Sequence, residues 1–401
     1  MKVVVVGLRA IPGVAGGIET HCEQLYPRIA HAGVDVEVVV RSPYVTRQRS
    51  GNWNGVRIRK FWSPKRSGFE TFFHTLIGVV YAGIARPDLL HLHAVGPGLF
   101  APLARAFGLK VIVTHHGSDY ERAKWGAFVK RLLKTGERLA MHFAHEVISV
   151  SRSKASELAA EYGRQPVVIP NGVPAIERPT SSEVLEELGL EAGKYVLHVG
   201  RWAPEKRQDD LIEGFVKARL SGWKLVLVGD MAGEDQFSAR VRRMAEQHEA
   251  VVLAGFRSGD ALAAIFTNAG CFALPSTIEG FSIALLEALS AGCVVVASDI
   301  PANREIELPA ESYFPVGDIE AMSDALAAVP QHMSRDTWME LRKKVRADYN
   351  WDQIAERTVR VYRNTVYRRL ISMEEQAGYP HERGRQGRER TSDSTGRPGA
   401  L

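Results

Sequence analysis

Cysteine is scarce in this chain: Cys22, Cys271 and Cys293 are the only three in 401 residues. An odd count without C-x-x-C spacing argues against a disulfide framework and against thiolate metal or redox sites, and it makes the cytosol the expected compartment. Long apolar runs are missing too. No stretch has the uninterrupted apolar length that a bilayer span needs, and the opening Met1-Lys2-Val3-Val4-Val5-Val6-Gly7 lacks the length and cleavage site of a secretion signal. Neither sign of charge dominates, since 51 Lys and Arg stand against 46 Asp and Glu for a net +5. So mild a balance is compatible with anionic ligands or a membrane surface and specifies neither; no nucleic-acid partner is expected. The glycine spacing of a dinucleotide fingerprint is absent from Gly7-Leu8-Arg9-Ala10, which disfavours a nicotinamide enzyme. What is present is apolar material, 45% of residues, enough for well-filled cores in two or three domains.

That material is distributed as short runs between helical patterns. Val3 to Gly7, Val36 to Val40, Leu89 to His93, Lys110 to Thr114, Glu146 to Val150 and Val167 to Ile169 form one set. Tyr195 to Gly200, Lys224 to Gly229, Val251 to Gly255, Cys271 to Leu274 and Cys293 to Ala297 form a second. Apolar runs of this length alternating with helices predict buried parallel strands in βαβ units, hence an α/β protein of two doubly wound domains. The expected boundaries are 1–172, a linker at 173–193, 194–350, a helix at 351–373 long enough to cross back to the first domain, and a disordered tail at 374–401. Ligands bind beyond the carboxyl ends of such strands, so two facing domains place a site in the cleft between them.

Several segments carry candidate chemistry for that cleft. In Glu279-Gly-Phe-Ser-Ile-Ala-Leu-Leu-Glu287 two carboxylates bracket an apolar run that reads as a helix stopped at Gly292. Continuous helix would separate Glu279 from Glu287 by roughly 12 Å, too far for the ~5 Å dyad of a retaining glycosidase. The spacing suits an extended ligand such as a nucleotide sugar; an amphipathic helix with two solvated glutamates has the same pattern. Gly16-Gly17-Ile18-Glu19 opens a helix, where the dipole and bare backbone favour a phosphate, although a tight turn would look alike. After strand Tyr195 to Gly200 come Arg201, Lys206 and Arg207, with the last two expected in a first helical turn, where cations make sense beside a bound anion. Arg201 and Lys206 together could hold a diphosphate, and Arg207 is expected to be solvated. His115-His116-Gly117 ends a strand where a histidine can orient a hydroxyl or stabilise charge, with one of the two facing the cleft. His91 and His93 share one strand face like a metal pair, but no third ligand lies nearby in sequence. Loop Gly255-Phe256-Arg257 is a candidate contact to a nucleotide base. Segment 121–141 is amphipathic and basic, suited to anionic headgroups or, more commonly, to packing on its own domain.

Taken together, Gly16-Gly17-Ile18-Glu19, His115-His116-Gly117, Pro170-Asn171-Gly172-Val173, Gly200-Arg201 with Glu205-Lys206, and Glu279 to Glu287 resemble, in order and spacing, the retaining glycosyltransferases of family 4, over roughly residues 1 to 370. The resemblance implies a GT-B fold, with acceptor on the N-terminal Rossmann-like domain and a UDP- or GDP-linked sugar donor on the C-terminal one, and no metal or other cofactor. It implies catalytic roles for His116, Arg201, Lys206 and Glu279, and donor contacts at Gly16, Gly17, Gly200, Gly280, Phe281 and Glu287. Residues Gly7 to Gly13 also look like bacterial enzymes of exopolysaccharide or lipopolysaccharide synthesis, which implies a glycan or lipid-linked acceptor at the inner membrane face. An epimerase using the same cleft and a non-catalytic binding module are the competing classes.

Overall fold

Four consecutive valines, Val3–Val6, are fully buried, which only a strand covered on both faces can achieve. They form β1 (Lys2–Val6) at the centre of the first of two sheets in the computed structural model, which describes residues 1–45, 51–64, 69–122, 125–180, 183–229, 235–332 and 335–376. With β1 go β2 (Asp35–Arg41), β3 (Gly51–Trp53), β4 (Val56–Phe61), β5 (Leu89–His93), β6 (Val111–His115), β7 (Glu146–Ser149) and β8 (Val167–Val168). Their order is β3-β4-β2-β1-β5-β6-β7-β8, parallel except for the β3–β4 hairpin. The second sheet, β11-β10-β9-β12-β13-β14, is parallel throughout. Its strands are β9 (Tyr195–Val199), β10 (Lys224–Val228), β11 (Val251–Gly255), β12 (Cys271–Leu274), β13 (Val294–Ser298) and β14 (Tyr313–Phe314). Both sheets match the expected α/β plan of two doubly wound domains. The hairpin and β14 are additions.

Apolar clusters cover both faces of each sheet. The chain crosses between the sheets twice, side by side: Val173 bridges Asn350, and its N–H donates to the Tyr349 carbonyl at 2.8 Å. Beyond the second crossing, helix Trp351–Gln376 sends Trp351, Ile354, Ala355, Val359 and Tyr362 into the core around Val3, Val5, Leu25 and Tyr26, so the last helix does return to the first sheet. A Cβ on Gly172 would lie 2.6 Å from the Trp351 ring, so the first crossing tolerates glycine alone against that indole. The expected disordered tail falls largely outside the described residues. Among the described residues no helix is long and apolar enough to cross a membrane.

Candidate active site

At the end of β9 a hydrogen-bond chain fixes the backbone that carries Arg201. His198 Nδ1 donates to the Ala273 carbonyl at 3.0 Å, which leaves Nε2 to accept from the Gln208 amide at 3.2 Å; that amide also donates to the Arg201 carbonyl at 3.1 Å. Burial holds His198 neutral, its pKa lowered to about 4. The Arg201 guanidinium reaches Glu205 Oε1 at 3.1 Å. Burial first, then the facing charges of Arg122 and Arg9 push Arg201 below its ordinary value, against the pull of Glu205. Three guanidiniums from three segments thus converge on one side of the cleft. Arg9 forks onto Glu19, with Nε and Nη2 both at 3.0 Å, and Arg122 pairs with Asp119 at 2.8 Å. Arg9 and Arg122 had no sequence signal, because nothing in their local pattern shows what they face across the cleft.

Lys206 and Arg207 do not lie in a first helical turn. Arg207 adopts φ 50°, ψ 43° and ends the short turn Pro204–Lys206; the helix begins only at Gln208, and Asp209 and Asp210 supply its first-turn charge. From that turn Lys206 Nζ reaches Glu279 Oε1 at 2.5 Å. Glu279 is likewise outside its helix, which runs Ile283–Ala291 behind the Ser282 cap and ends at Gly292 with φ 89°. The Glu279–Glu287 stretch is therefore part loop, and the continuous-helix spacing does not apply. Glu287 lies within the helix, its carboxyl without a hydrogen bond or ion pair among the described residues, and burial raises its pKa to about 7.

Glycine is required where the two domains touch. A Cβ on Gly280 would stand 1.8 Å from the His116 carbonyl oxygen, and one on Gly117 3.1 Å from Gly280 Cα. Phe281 does not face an open helix mouth: its ring is buried against Tyr349, and its carbonyl accepts from Asn171 Nδ2 at 2.7 Å. Gly200 closes β9 by donating to the Val228 carbonyl at 2.9 Å. Gly16 and Gly17 open helix Gly17–His31 as expected, but a Cβ on Gly16 would meet the Glu19 carboxylate at 2.1 Å and the Arg9 guanidinium at 2.3 Å. The Glu19 carboxylate occupies the first turn of that helix and takes up the Arg9 guanidinium, so the glycine pair opens on an ion pair rather than on bare amides.

The doubled histidine separates cleanly. His115 Nε2 donates to Glu137 Oε2 at 2.8 Å and its Nδ1 accepts from the Gly117 amide at 3.2 Å, so this ring is turned into its own domain. His116 instead meets His93, Nε2 to Nδ1 at 2.8 Å, and stands edge-on to His21 at 4.8 Å between ring centres. Behind it a chain of hydrogen bonds runs through Tyr26 to His91 and on to Tyr362, 2.6 Å from His91 Nδ1. His21 Nδ1 is held by Asn171 Oδ1 at 2.9 Å, which ties the histidine cluster to the Phe281 backbone. Burial depresses His21 to about 4 and His91 to about 3, and lowers His93 and His116 as well, so these four are neutral near pH 7. His21, His93 and His116 have ligand-type nitrogens within 4.8 Å of one another. Both His93 nitrogens are already hydrogen-bonded, as is His21 Nδ1; His116, His93, Tyr26, His91 and Tyr362 form one hydrogen-bonded relay, which His21 meets only edge-on. The His91–His93 pair seen in the sequence thus belongs to this relay.

A second contact closes the domains together. The Glu305 carboxylate accepts from Ser151 Oγ at 2.6 Å, Ser153 Oγ at 2.7 Å, Ser153 N at 2.8 Å and Arg152 N at 2.9 Å, capping helix Arg152–Tyr162 of the other domain. Between this latch and the Glu279 loop lies a cavity of about 190 Å³, bordered by His115, Ser151, Lys154, Glu279 and Ile300. In the loop that follows β11, Phe256 is 52% exposed, while Arg257 is held by Glu187 at 2.7 Å.

Comparison with known proteins bears on this geometry. Residues 16–172 match the family model of the glycosyl transferase 4-like domain, and residues 182–346 that of glycosyl transferases group 1. A GDP-mannose:cellobiosyl-diphosphopolyprenol alpha-mannosyltransferase of Xanthomonas oryzae pv. oryzae is 26% identical over 385 residues, 91% of this chain and 97% of the relative. Sucrose-phosphate synthase of Thermosynechococcus elongatus superposes with a TM-score of 0.78 at 21% identity, covering 93% of this chain and 99% of that one. The HepE protein of Anabaena, solved with UDP and glucose, gives 0.73 at 18% identity over 90% and 99%. The chain belongs to the glycosyltransferases of GT-B fold, its first domain of the glycosyl transferase 4-like type and its second of group 1.

Proposed function

We propose that this glycosyltransferase moves a hexose from a UDP- or GDP-linked sugar to a glycan or lipid-linked acceptor, with retention of configuration, in the synthesis of a bacterial surface polysaccharide at the inner membrane face. The observation that carries the donor side is the convergence of Arg201 with Arg9 and Arg122 on the cleft that also holds Lys206: Arg201 is pushed below its ordinary value by burial first and by the facing guanidiniums second, and such a concentration of cations suits a diphosphate. A diphosphate entering this cluster competes with Glu279 for Lys206. The lysine then neutralises charge on the leaving group, a task divalent ions perform elsewhere, and the freed Glu279 carboxylate accepts sugar hydroxyls. Glu287 accepts the ribose hydroxyls. On the acceptor side, neutral His116 orients the attacking hydroxyl, which approaches from the face the diphosphate leaves and passes its proton to a phosphate oxygen. No protein nucleophile is needed.

The Xanthomonas relative is named for a diphosphopolyprenol-linked acceptor, which supports a lipid-linked acceptor here; the Anabaena structure was solved with UDP. The test is thermal stabilisation by a panel of nucleoside diphosphates and their sugars without added metal. A ligand at a hundred times its dissociation constant adds about 2.7 kcal/mol. A selective shift, weakened in Lys206→Ala and Glu279→Gln, is expected, followed by transfer to acceptor with the product anomer read by NMR. No shift with any nucleotide refutes the donor site, inverted product refutes retention, and sugar conversion without acceptor marks an epimerase.

A further inference from the structure

Helix Phe69–Ala85 is apolar on both sides. One face, with His74, Thr75, Gly78, Val79 and Ala82, is buried on the first sheet. The other carries Phe69, Phe73, Ile77, Val80 and Ile84 at intervals of three and four; Phe69 is 64% and Ile84 78% exposed. Glu70 is the one charged residue among its 17. A helix apolar all round is normally enclosed, yet this one presents a stripe roughly 22 Å long to the outside. Trp62, 63% exposed, stands in the connection before it.

The neighbouring surface is basic. Sequence periodicity suggested a basic helix over 121–141; the helix runs Ala127–Phe143, with residues 123 and 124 outside the described set. Lys134 is committed to Glu137 and Glu161 at 2.9 and 2.7 Å. Lys130, Arg131 and Arg138 form no ion pair among the described residues, and Arg131 and Arg138 line a shallow hollow of about 580 Å³ with His142. Phe128 beside them is 79% exposed. The two helices flank the same short turn: a Cβ on Gly96 would touch Leu133 of one at 3.4 Å and Thr71 of the other at 3.8 Å. Both helices begin near the carboxyl ends of the strands, on the side of the histidine cluster.

We propose that this face docks on an anionic lipid bilayer, the Phe69–Ile84 stripe entering the headgroup boundary while Lys130, Arg131 and Arg138 meet lipid phosphates. An apolar ridge beside cations that form no ion pair among the described residues is the complement of an anionic bilayer surface. The proposal rests on the proposed function only for its purpose, delivery of a lipid-linked acceptor toward His116.

Co-sedimentation with phosphatidylcholine vesicles, with and without phosphatidylglycerol, tests it on the full chain. The wild type is expected to bind the anionic vesicles and hardly the neutral ones. Arg131→Glu with Arg138→Glu should weaken binding about 25-fold, from about fivefold per basic residue, and Phe69→Ser with Ile84→Ser about tenfold or more. Nucleotide-induced thermal shifts should be unchanged in both, which separates this proposal from the donor site and from misfolding. No binding by the wild type, or binding indifferent to the serine pair, overturns it. So does self-association in lipid-free solution that the serine pair abolishes, since the occupant would then be a second copy.

Discussion

Glu287→Gln, read across pH, probes the donor site through a property of one carboxyl. Burial lifts this group from 4.5 to about 7, so near neutrality it is half protonated. If its carboxylate accepts ribose hydroxyls, donor binding selects the ionised form. With a pKa of about 7 the ionised fraction is about one-eleventh at pH 6 and ten-elevenths at pH 8, so a nucleotide sugar should bind about tenfold more tightly at pH 8, or about 1.4 kcal/mol. Nucleotide sugars suit the assay, because their diphosphate diesters do not titrate in this window. Isothermal titration in wild type should show the slope, and Glu287→Gln should be flat and close to the wild-type value at pH 6. The sign for stability is opposite. A folded-state pKa above the unfolded one stabilises fully below 4.5 and is lost as pH rises through 7, so ligand-free Glu287→Gln should gain on the wild type between pH 5 and 8. The full gap corresponds to ~3 kcal/mol, and partial exposure of the side chain reduces it to about 1–2 kcal/mol. A flat wild-type affinity profile, or the same slope in the variant, would refute the ribose role.

Four further outcomes can be checked. Lys206→Ala should lower turnover at saturating donor about 10²- to 10³-fold, the scale of removing one preorganised charge stabiliser; near-normal turnover excludes the leaving-group role. Gly280→Ala places a methyl 1.8 Å from the His116 carbonyl, so the domains should be held apart, with activity lost while the thermal shift by nucleoside diphosphate persists. Glu305→Ala removes four accepted hydrogen bonds between the domains, and small-angle scattering should report a larger radius of gyration. Tyr26→Phe breaks the link to His93 and frees the His116 orientation behind it; kcat should fall about three- to tenfold with donor affinity unchanged, and an unaltered kcat would make the relay purely structural.

The strands were legible because burial on both faces demands near-continuous Val, Leu and Ile, a signal that survives without tertiary context. The hairpin carries an equally good local signal: Trp53 pairs with Val56 across Asn54-Gly55, both at positive φ, and Asn-Gly is the dipeptide such a turn requires. Strand β14, two residues long, leaves none. The site divides in the same way. Gly200-Arg201, Lys206 and Glu279 sit on loops that follow strands, so their neighbourhood could be read locally. The positive φ of Arg207, which moves Lys206 out of its helix, could not, since arginine gives no hint of a left-handed conformation. Arg9 and His21 follow β1, His93 ends β5, and His116 and Arg122 follow β6, three places far apart in the chain. Only the sheet order, with β1, β5 and β6 adjacent, brings these side chains to one cleft.

The paired crossings at Val173 and Asn350 set the manner in which the cleft can open. A single peptide strand between two bodies permits swivel about its own axis as well as bending. Two strands side by side, joined by a backbone hydrogen bond and wedged by the Trp351 indole against Gly172, behave like the two leaves of a door hinge. Rotation about the line through both remains easy, and twist or sideways slip is resisted. Asn171, two residues before Val173, stands beside this axis and holds both His21 and the Phe281 carbonyl, so its bonds are strained least as the door swings, while the Glu305 latch and the Gly280–His116 contact are what a wide opening must break.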